Sequence, residues 1–105
     1  MLIVKNTIKN DTLTDLYTSF VFNRVGYSFL NEKKYKEAIS VFKLNTELHP
    51  GDANLFDSLA EAYELSGDKE NMKKTSVVQM DILNKKDSLS EFEKGLKANA
   101  EKRLN

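Results

Sequence analysis

Cysteine is missing from this 105-residue chain. Disulfides, thiol catalysis, thiolate zinc sites and iron–sulfur clusters are therefore excluded. Proline occurs once and glycine four times. So few turn-formers leave little room for a turn-rich β-sandwich or a Gly-rich phosphate loop. The single histidine, His49, precedes Pro50 at a helix end. There it suits the free carbonyls and negative pole of a helix C-terminus better than metal binding. A transition-metal site would have to rest on carboxylates alone, so neither a metal nor a cofactor is expected. Neither sign of charge dominates: Lys plus Arg and Asp plus Glu are 16 each, for a formal net charge of zero. That balance argues against a dedicated nucleic-acid binder. Long apolar runs are lacking too. Leu2-Ile3-Val4 stops at Lys5, too short for a signal-peptide core or a membrane span. A serine-hydrolase G-x-S-x-G elbow does not occur.

What is present is helical pattern. A charged fraction of 30% with 40% hydrophobic residues suits a soluble helical domain, and the length suits one domain over 1–105. Over 35–48, Tyr35, Ala38, Ile39, Phe42 and Leu48 recur at three- and four-residue steps, which predicts an amphipathic helix. His49-Pro50-Gly51 ends it, with Gly51 expected in a left-handed turn. Asp52 is placed to cap the next helix, with Leu55, Phe56, Leu59, Ala60 and Tyr63 on one side. Ser66-Gly67-Asp68 closes that helix and opens a weaker one over 69–83, carrying Met72, Val77, Met80, Ile82 and Leu83. Ser88-Leu89-Ser90-Glu91 fits a capping box ahead of a final helix with Leu89, Phe92, Leu96, Ala100 and Leu104 as its stripe. Upstream, 21–32 reads as a helix with Phe22, Val25, Gly26, Phe29 and Leu30 inward. Residues 12–20 read as helix with Leu13, Leu16, Tyr17 and Phe20, continuous with the next or separate from it. Residues 1–10 are expected as a short extended arm.

The pattern also repeats. FNRVGYSFL at 22–30 returns as FDSLAEAYE at 56–64, 34 residues later. Each has an aromatic, then a branched apolar residue, a tiny residue and another aromatic. Phe22, Val25, Gly26, Phe29, Ala38, Phe42 and Pro50 in the first unit, and Phe56, Leu59, Ala60 and Tyr63 in the second, resemble the tetratricopeptide repeat. The second unit departs at Met72, Ser76 and Asn84, where that family has a small residue, an aromatic and proline. A narrower likeness, carried by FKLNTELHP and NLFDSLAEAY, is to the helical-repeat tails of bacterial serine-hydrolase and esterase-like proteins. The resemblance implies an all-α fold: two helix–turn–helix hairpins, about 19–52 and 53–86, in a short right-handed solenoid. A helical segment precedes them and a capping helix over about 88–104 follows.

The same resemblance implies a concave groove lined by Asn23 and Tyr27 from the first repeat and by Asn54, Asp57, Glu61 and Glu64 from the second. Asp57, Glu61 and Glu64 lie at helical spacing on one flank. A solvated polar face is the simplest reading, a groove for a basic ligand the next, and carboxylate catalysis the least supported. The acidic pair Asp57 and Glu61 would repel a peptide carboxylate, so the clamp that some family members use for chaperone tails is not expected. Lys33, Lys34, Lys36, Lys73, Lys74, Lys85 and Lys86 are offset by neighbouring acids and read as solvated surface. Leu89, Phe92 and Leu96 read as an end cap or an interface. Leu2, Ile3 and Val4 could cover the other end or join a neighbour.

The expected function is non-catalytic protein–protein interaction: a peptide or helix of a partner, favoured if basic, lying in the groove. The alternative is an accessory or dimerisation unit of a bacterial hydrolase, packing through its end surfaces. No nucleic-acid or membrane partner is expected, and the chain is a monomer or homodimer. The compartment is cytoplasmic if Met1 is the native start and periplasmic if the chain is cut from an exported protein.

Overall fold

The computed structural model describes residues 12–105, with side chains from residue 17 onward. Five α-helices follow one another: α1 Thr12–Asn31, α2 Tyr35–Leu48, α3 Ala53–Ser66, α4 Lys69–Asn84 and α5 Glu91–Leu104. The all-α class is as expected. The two stretches over 12–32 are one helix, and the expected arm over 1–10 lies outside the described residues.

Each helix packs on the next, and α3 touches each of the other four. Its composition permits that central place. Ala53, Ala60, Ala62 and Ser58 are buried on it, and such small side chains let neighbouring helices come close. Alternate helices α1, α3 and α5 also meet, so these three share one side of the molecule.

Short-range chemistry sets the helix ends. Asp52 caps α3 by accepting from the Asn54 N–H at 3.0 Å. Asp68 caps α4, accepting from the Asn71 N–H at 3.1 Å and its side-chain amide at 2.8 Å. Those Asn71 bonds, side chain first, hold the Asp68 carboxyl below its ordinary range. α3 ends on Gly67, left-handed at φ 86°, whose N–H reaches the Glu64 carbonyl. α1 ends through Lys33, which takes the left-handed region at φ 61° with a side chain attached.

Two expected turns come out differently. Gly51 is not left-handed: among the described residues, positive φ belongs to Lys33 and Gly67 alone. The His49–Asp52 turn is closed instead by the Asp52 N–H on the His49 carbonyl at 3.2 Å. The capping box sits two residues later than Ser88–Glu91. Ser90 Oγ accepts from the Glu93 N–H at 3.1 Å, and Glu93 Oε1 accepts from the Ser90 N–H at 2.9 Å. Leu89 lies ahead of the helix, packed against the cluster of Ala53, Leu83 and Leu96.

Two buried seams run through the stack. The first joins α1, α2 and α3 through Leu30, Ala38, Phe42, Leu59 and Ala62, with Tyr27, Phe29, Tyr35, Ile39 and Tyr63 against them. Phe42 lies directly under Gly26. A Cβ there would overlap the ring, so only glycine fits. Tyr27 meets the same ring edge-on at a 5.2 Å centroid distance. The second seam, among α3, α4 and α5, has the apolar cluster Ala53, Leu83 and Leu96, with Ile82 and Leu89 beside it. Besides the buried Ala60, Met72 and Ala100, the α4 side is polar: Thr75, Ser76 and Gln79 are buried. Thr75 and Ser76 satisfy their hydroxyls within α4, on the Asn71 and Met72 carbonyls at 2.7 and 2.9 Å.

Several residues expected inward face outward: Tyr17, Phe20, Val25, Leu48, Val77 and Phe92 are exposed. Helix phase explains them. On α4 the buried line runs Met72, Ser76, Gln79, Leu83, and Val77 lies one residue off it. On α1 the buried line includes Gly26 and Leu30, which turns Tyr17, Phe20 and Val25 to the far side. Phe92 stands on the rim of α5 at 64% exposure while Leu96 and Ala100 bury. Among the described residues, no helix is long and apolar enough to cross a membrane.

Candidate functional site

The six groove residues lie on α1 and α3, and α3 divides them into two groups. Asn54, Ser58 and Glu61 turn toward α1. Asp57 and Glu64 turn toward α5. This follows from phase, since residues three and four apart share a stripe while a one-residue offset moves a side chain by about 100°.

On the α1 side the bonds are neutral or singly charged. Ser58 Oγ donates to Asn23 Oδ1 at 2.8 Å, joining α3 to α1. Tyr27 donates its phenol to Glu61 Oε1, also at 2.8 Å. Burial pushes the Tyr27 phenol up to about 12; the Ser58 hydroxyl works against this, and the Glu61 carboxylate and then the Asp57 charge add to it. A proton held this firmly makes Tyr27 a donor rather than a base. The Asn23 amide nitrogen has no hydrogen bond among the described residues. Beside it, Ser19, Phe20, Asn23, Asp52, Asn54 and Leu55 line an open depression of about 350 Å³. Phe20 and Leu55 supply apolar wall, Asn23 and Asn54 amides, and Asp52 a carboxylate.

On the α5 side the chemistry is ionic. Arg103 Nη1 donates to Asp57 Oδ1 at 2.8 Å, and its Nε donates to Glu64 Oε1 at 3.2 Å. The Arg103 and Asp57 side chains are only 10% and 13% exposed. Gln79, fully buried on α4, donates its amide both to Asp57 Oδ1 at 3.1 Å and to the Leu96 carbonyl at 2.9 Å. Asn99 approaches Asp57 at 3.4 Å. Burial alone would lower the Arg103 pKa, but the bonds to Asp57 and then Glu64 outweigh it and raise it. Asp57 is thus the hub of a network that fixes α5 to α3 and α4.

The acidic flank is therefore not the solvated face expected from spacing. Asp57 is internal and paired, Glu61 holds a phenol, and Glu64 shares a guanidinium while half exposed. Sequence reasoning missed Arg103, Gln79, Asn99 and Ser58. Arg103 sits seven residues after Leu96, on the same buried stripe of α5, and that spacing was available to read. Among the described residues, no group of three or more acidic or histidine side chains could hold a metal ion. No protein-family model matches the chain, and a search of curated proteins found no match.

Proposed function

We propose that the chain is a tetratricopeptide-like interaction module that binds an extended peptide segment of a partner protein, without catalysis of its own. The observation that carries this reading is the depression between α1 and α3 with unspent amide groups on its wall. Asn23 and Asn54 would hydrogen-bond the peptide backbone, and Phe20 with Leu55 would take an apolar side chain. Tyr27 and Glu61 would act beneath, holding α1 against α3 and fixing the floor. Asp57 belongs to the scaffold, and Glu64, whose side chain is half exposed, would favour a basic residue further along the peptide. No cofactor or metal enters this function.

The reading also dictates which variants test it. Charge reversal at Asp57 would break the α5 anchor and confuse folding with binding. Asn54→Ala and Phe20→Ala are better, since neither side chain supports the core. Peptides selected on the wild-type protein from a displayed random library should lose at least fivefold in affinity for each variant, with thermal stability unchanged. Selected peptides that bind both variants as tightly as wild type would remove the groove assignment.

A second reading is an accessory unit that packs on a hydrolase domain through an end of the stack. Phe92 favours it, a large aromatic on α5 left exposed beside Gly51 and Asn54. Phe92→Ser should then weaken association with such a domain and leave peptide binding in the depression intact.

A further inference from the structure

The two ends of the stack are finished differently. α5 closes one end and shows water Lys94, Gly95, Ala98 and Lys102, with Phe92 at its rim. The other end is the side of α1 and α2 turned away from α3, and helix phase identifies it. On α1, Tyr27 follows Gly26 and reaches α3, while Val25 precedes Gly26 and points the other way. On α2, Ile39 packs on the first seam with Leu59 and Ala62, and Val41 stands about 160° round from it. Val21, Val25 and Ser28 form one stripe on this end, with Arg24 at its edge. Val41, Leu44 and Leu48 form the other, and Leu44 and Leu48 are 45% and 53% exposed.

The internal repeat shows what such a surface is built for. The counterparts of Val21, Arg24, Val25 and Ser28, 34 residues later, are Leu55, Ser58, Leu59 and Ala62. All four are buried, where α3 meets the first hairpin of α1 and α2. Among the described residues no helix covers the earlier set.

We propose that this end face pairs with the same face of a second copy, giving a two-fold dimer. Within the chain, the side of a hairpin that covers such a surface is already occupied, by α3 on the first hairpin and by α5 on the second. A copy therefore cannot add head to tail. What it has free is the same end face, and a two-fold contact closes at two copies. Charge agrees. Neither Arg24 nor Glu37 has an ion-pair partner among the described residues. The Asn45 amide bonds the Ser19 carbonyl, which sets those two residues side by side. About two turns back along α2, Glu37 stands level with Tyr27 and so about one turn from Arg24. Laying α1 of one copy over α2 of the other brings Arg24 beside Glu37 of the second copy, twice by symmetry. A formal net charge of zero adds no general repulsion between copies. The footprint is two helices side by side, about 20 Å by 20 Å. That is half of the roughly 800 Å² per partner of a standard interface, so the dimer is weak, with a dissociation constant on the order of 10–100 µM. This inference does not depend on the peptide-binding reading.

The test is analytical ultracentrifugation of the full chain over concentrations that bracket that constant. The mass should rise from one chain toward two and stop there. Val25→Asp and Leu48→Asp, both at exposed positions, should each raise the dissociation constant about tenfold or more. Their helical circular dichroism at low concentration should match wild type. Phe92→Ser, at the other end, should change nothing. Arg24→Glu should weaken the dimer about fivefold, and adding Glu37→Arg should restore it. A chain that stays monomeric throughout would overturn the proposal. So would a mass that grows past two copies, a dimer that survives both aspartates, or one abolished by Phe92→Ser. An exchange of charges that restores nothing would overturn the pairing of α1 with α2.

Discussion

Gly26 and Phe42 have counterparts 34 residues later, Ala60 and Ser76, and the two pairs divide their space in opposite ways. In the first hairpin one partner has no side chain and the other has a full ring lying over it. In the second both are small and fully buried, and the Ser76 hydroxyl bonds within its own helix. The seam at α1–α2 is filled by shape. The seam among α3, α4 and α5 is held by partners: Gln79 and Arg103 converge on Asp57. Shape filling tolerates any apolar group of the right volume, whereas a buried polar hub tolerates only its own donors. The first seam should therefore respond to volume and the second to charge pairing.

The largest effect is expected where volume is removed. Phe42→Ala should lower stability by about 4 kcal/mol in urea unfolding, as for other buried phenylalanines. Phe42→Leu should lower it by half that or less. Equal losses for the two would mean that this seam is not governed by volume.

The second seam should break at Arg103. Arg103→Ala leaves Asp57 nearly buried with only amide donors, and the loss should be about 3 kcal/mol. Arg103→Met combined with Asp57→Leu should recover most of it, because an apolar pair of similar size removes the uncompensated charge. A double variant as unstable as the single one would show that packing of the arginine stem, not its charge, holds α5.

Gly26→Ala tests the first seam from the other side. Its Cβ would overlap the Phe42 ring, so a loss of about 2 kcal/mol is expected despite alanine being the better helix former. In a Phe42→Leu background the same change should cost far less, and calorimetric melting of the four proteins reads the coupling. Simple additivity would place the glycine's role elsewhere.

These contrasts also explain what could be read in the sequence. The helices, the Asp52 cap and the Gly67 turn rest on local signals, and the structure has them. The first seam was legible because its buried stripe is written in apolar letters. The second was half hidden because its stripe runs Met72, Ser76, Gln79, Leu83, where the three- and four-residue period persists but two letters are polar. Hydrophobicity picked Val77, and period alone would have picked Gln79. Asp57, Glu61 and Glu64 share one helix, but Glu61 turns to Tyr27 of α1 while Asp57 and Glu64 turn to Arg103 of α5. Their partners come from α1, α4 and α5, at separations of 22 to 46 residues that no local pattern encodes.

Tyr27 serves the first seam twice, since it touches Phe42 with its ring and Glu61 with its hydroxyl. Tyr27→Phe should cost about 1 kcal/mol, the worth of one hydrogen bond. The pH signature is more specific. Folding favours the neutral phenol, so this contribution is complete below pH 10, the ordinary tyrosine value, and fades as pH rises toward about 12. Absorbance near 295 nm should show a late tyrosinate step that Tyr27→Phe abolishes. The Tyr63 phenol is also raised, mainly by burial and further by the Asp68 carboxylate. A titration unchanged by Tyr27→Phe would contradict the assignment.

The smallest effect contrasts the two hairpin turns. Gly67 and Lys33 both occupy the left-handed region, at φ 86° and 61°. Glycine enters that region freely, while a residue with a Cβ is strained there by roughly 1–2 kcal/mol. Lys33→Gly relieves the strain but gives the unfolded chain more freedom, worth about 0.5–1 kcal/mol in the other direction. A net gain of about 0.5 kcal/mol is expected. Gly67→Ala runs the exchange backwards and should lose about 1 kcal/mol. Opposite signs from these two substitutions, measured by urea unfolding, would show that the hairpins share one turn geometry and that only the second has the residue best suited to it. A loss at Lys33→Gly would mean instead that the lysine side chain contributes more than its strained backbone costs.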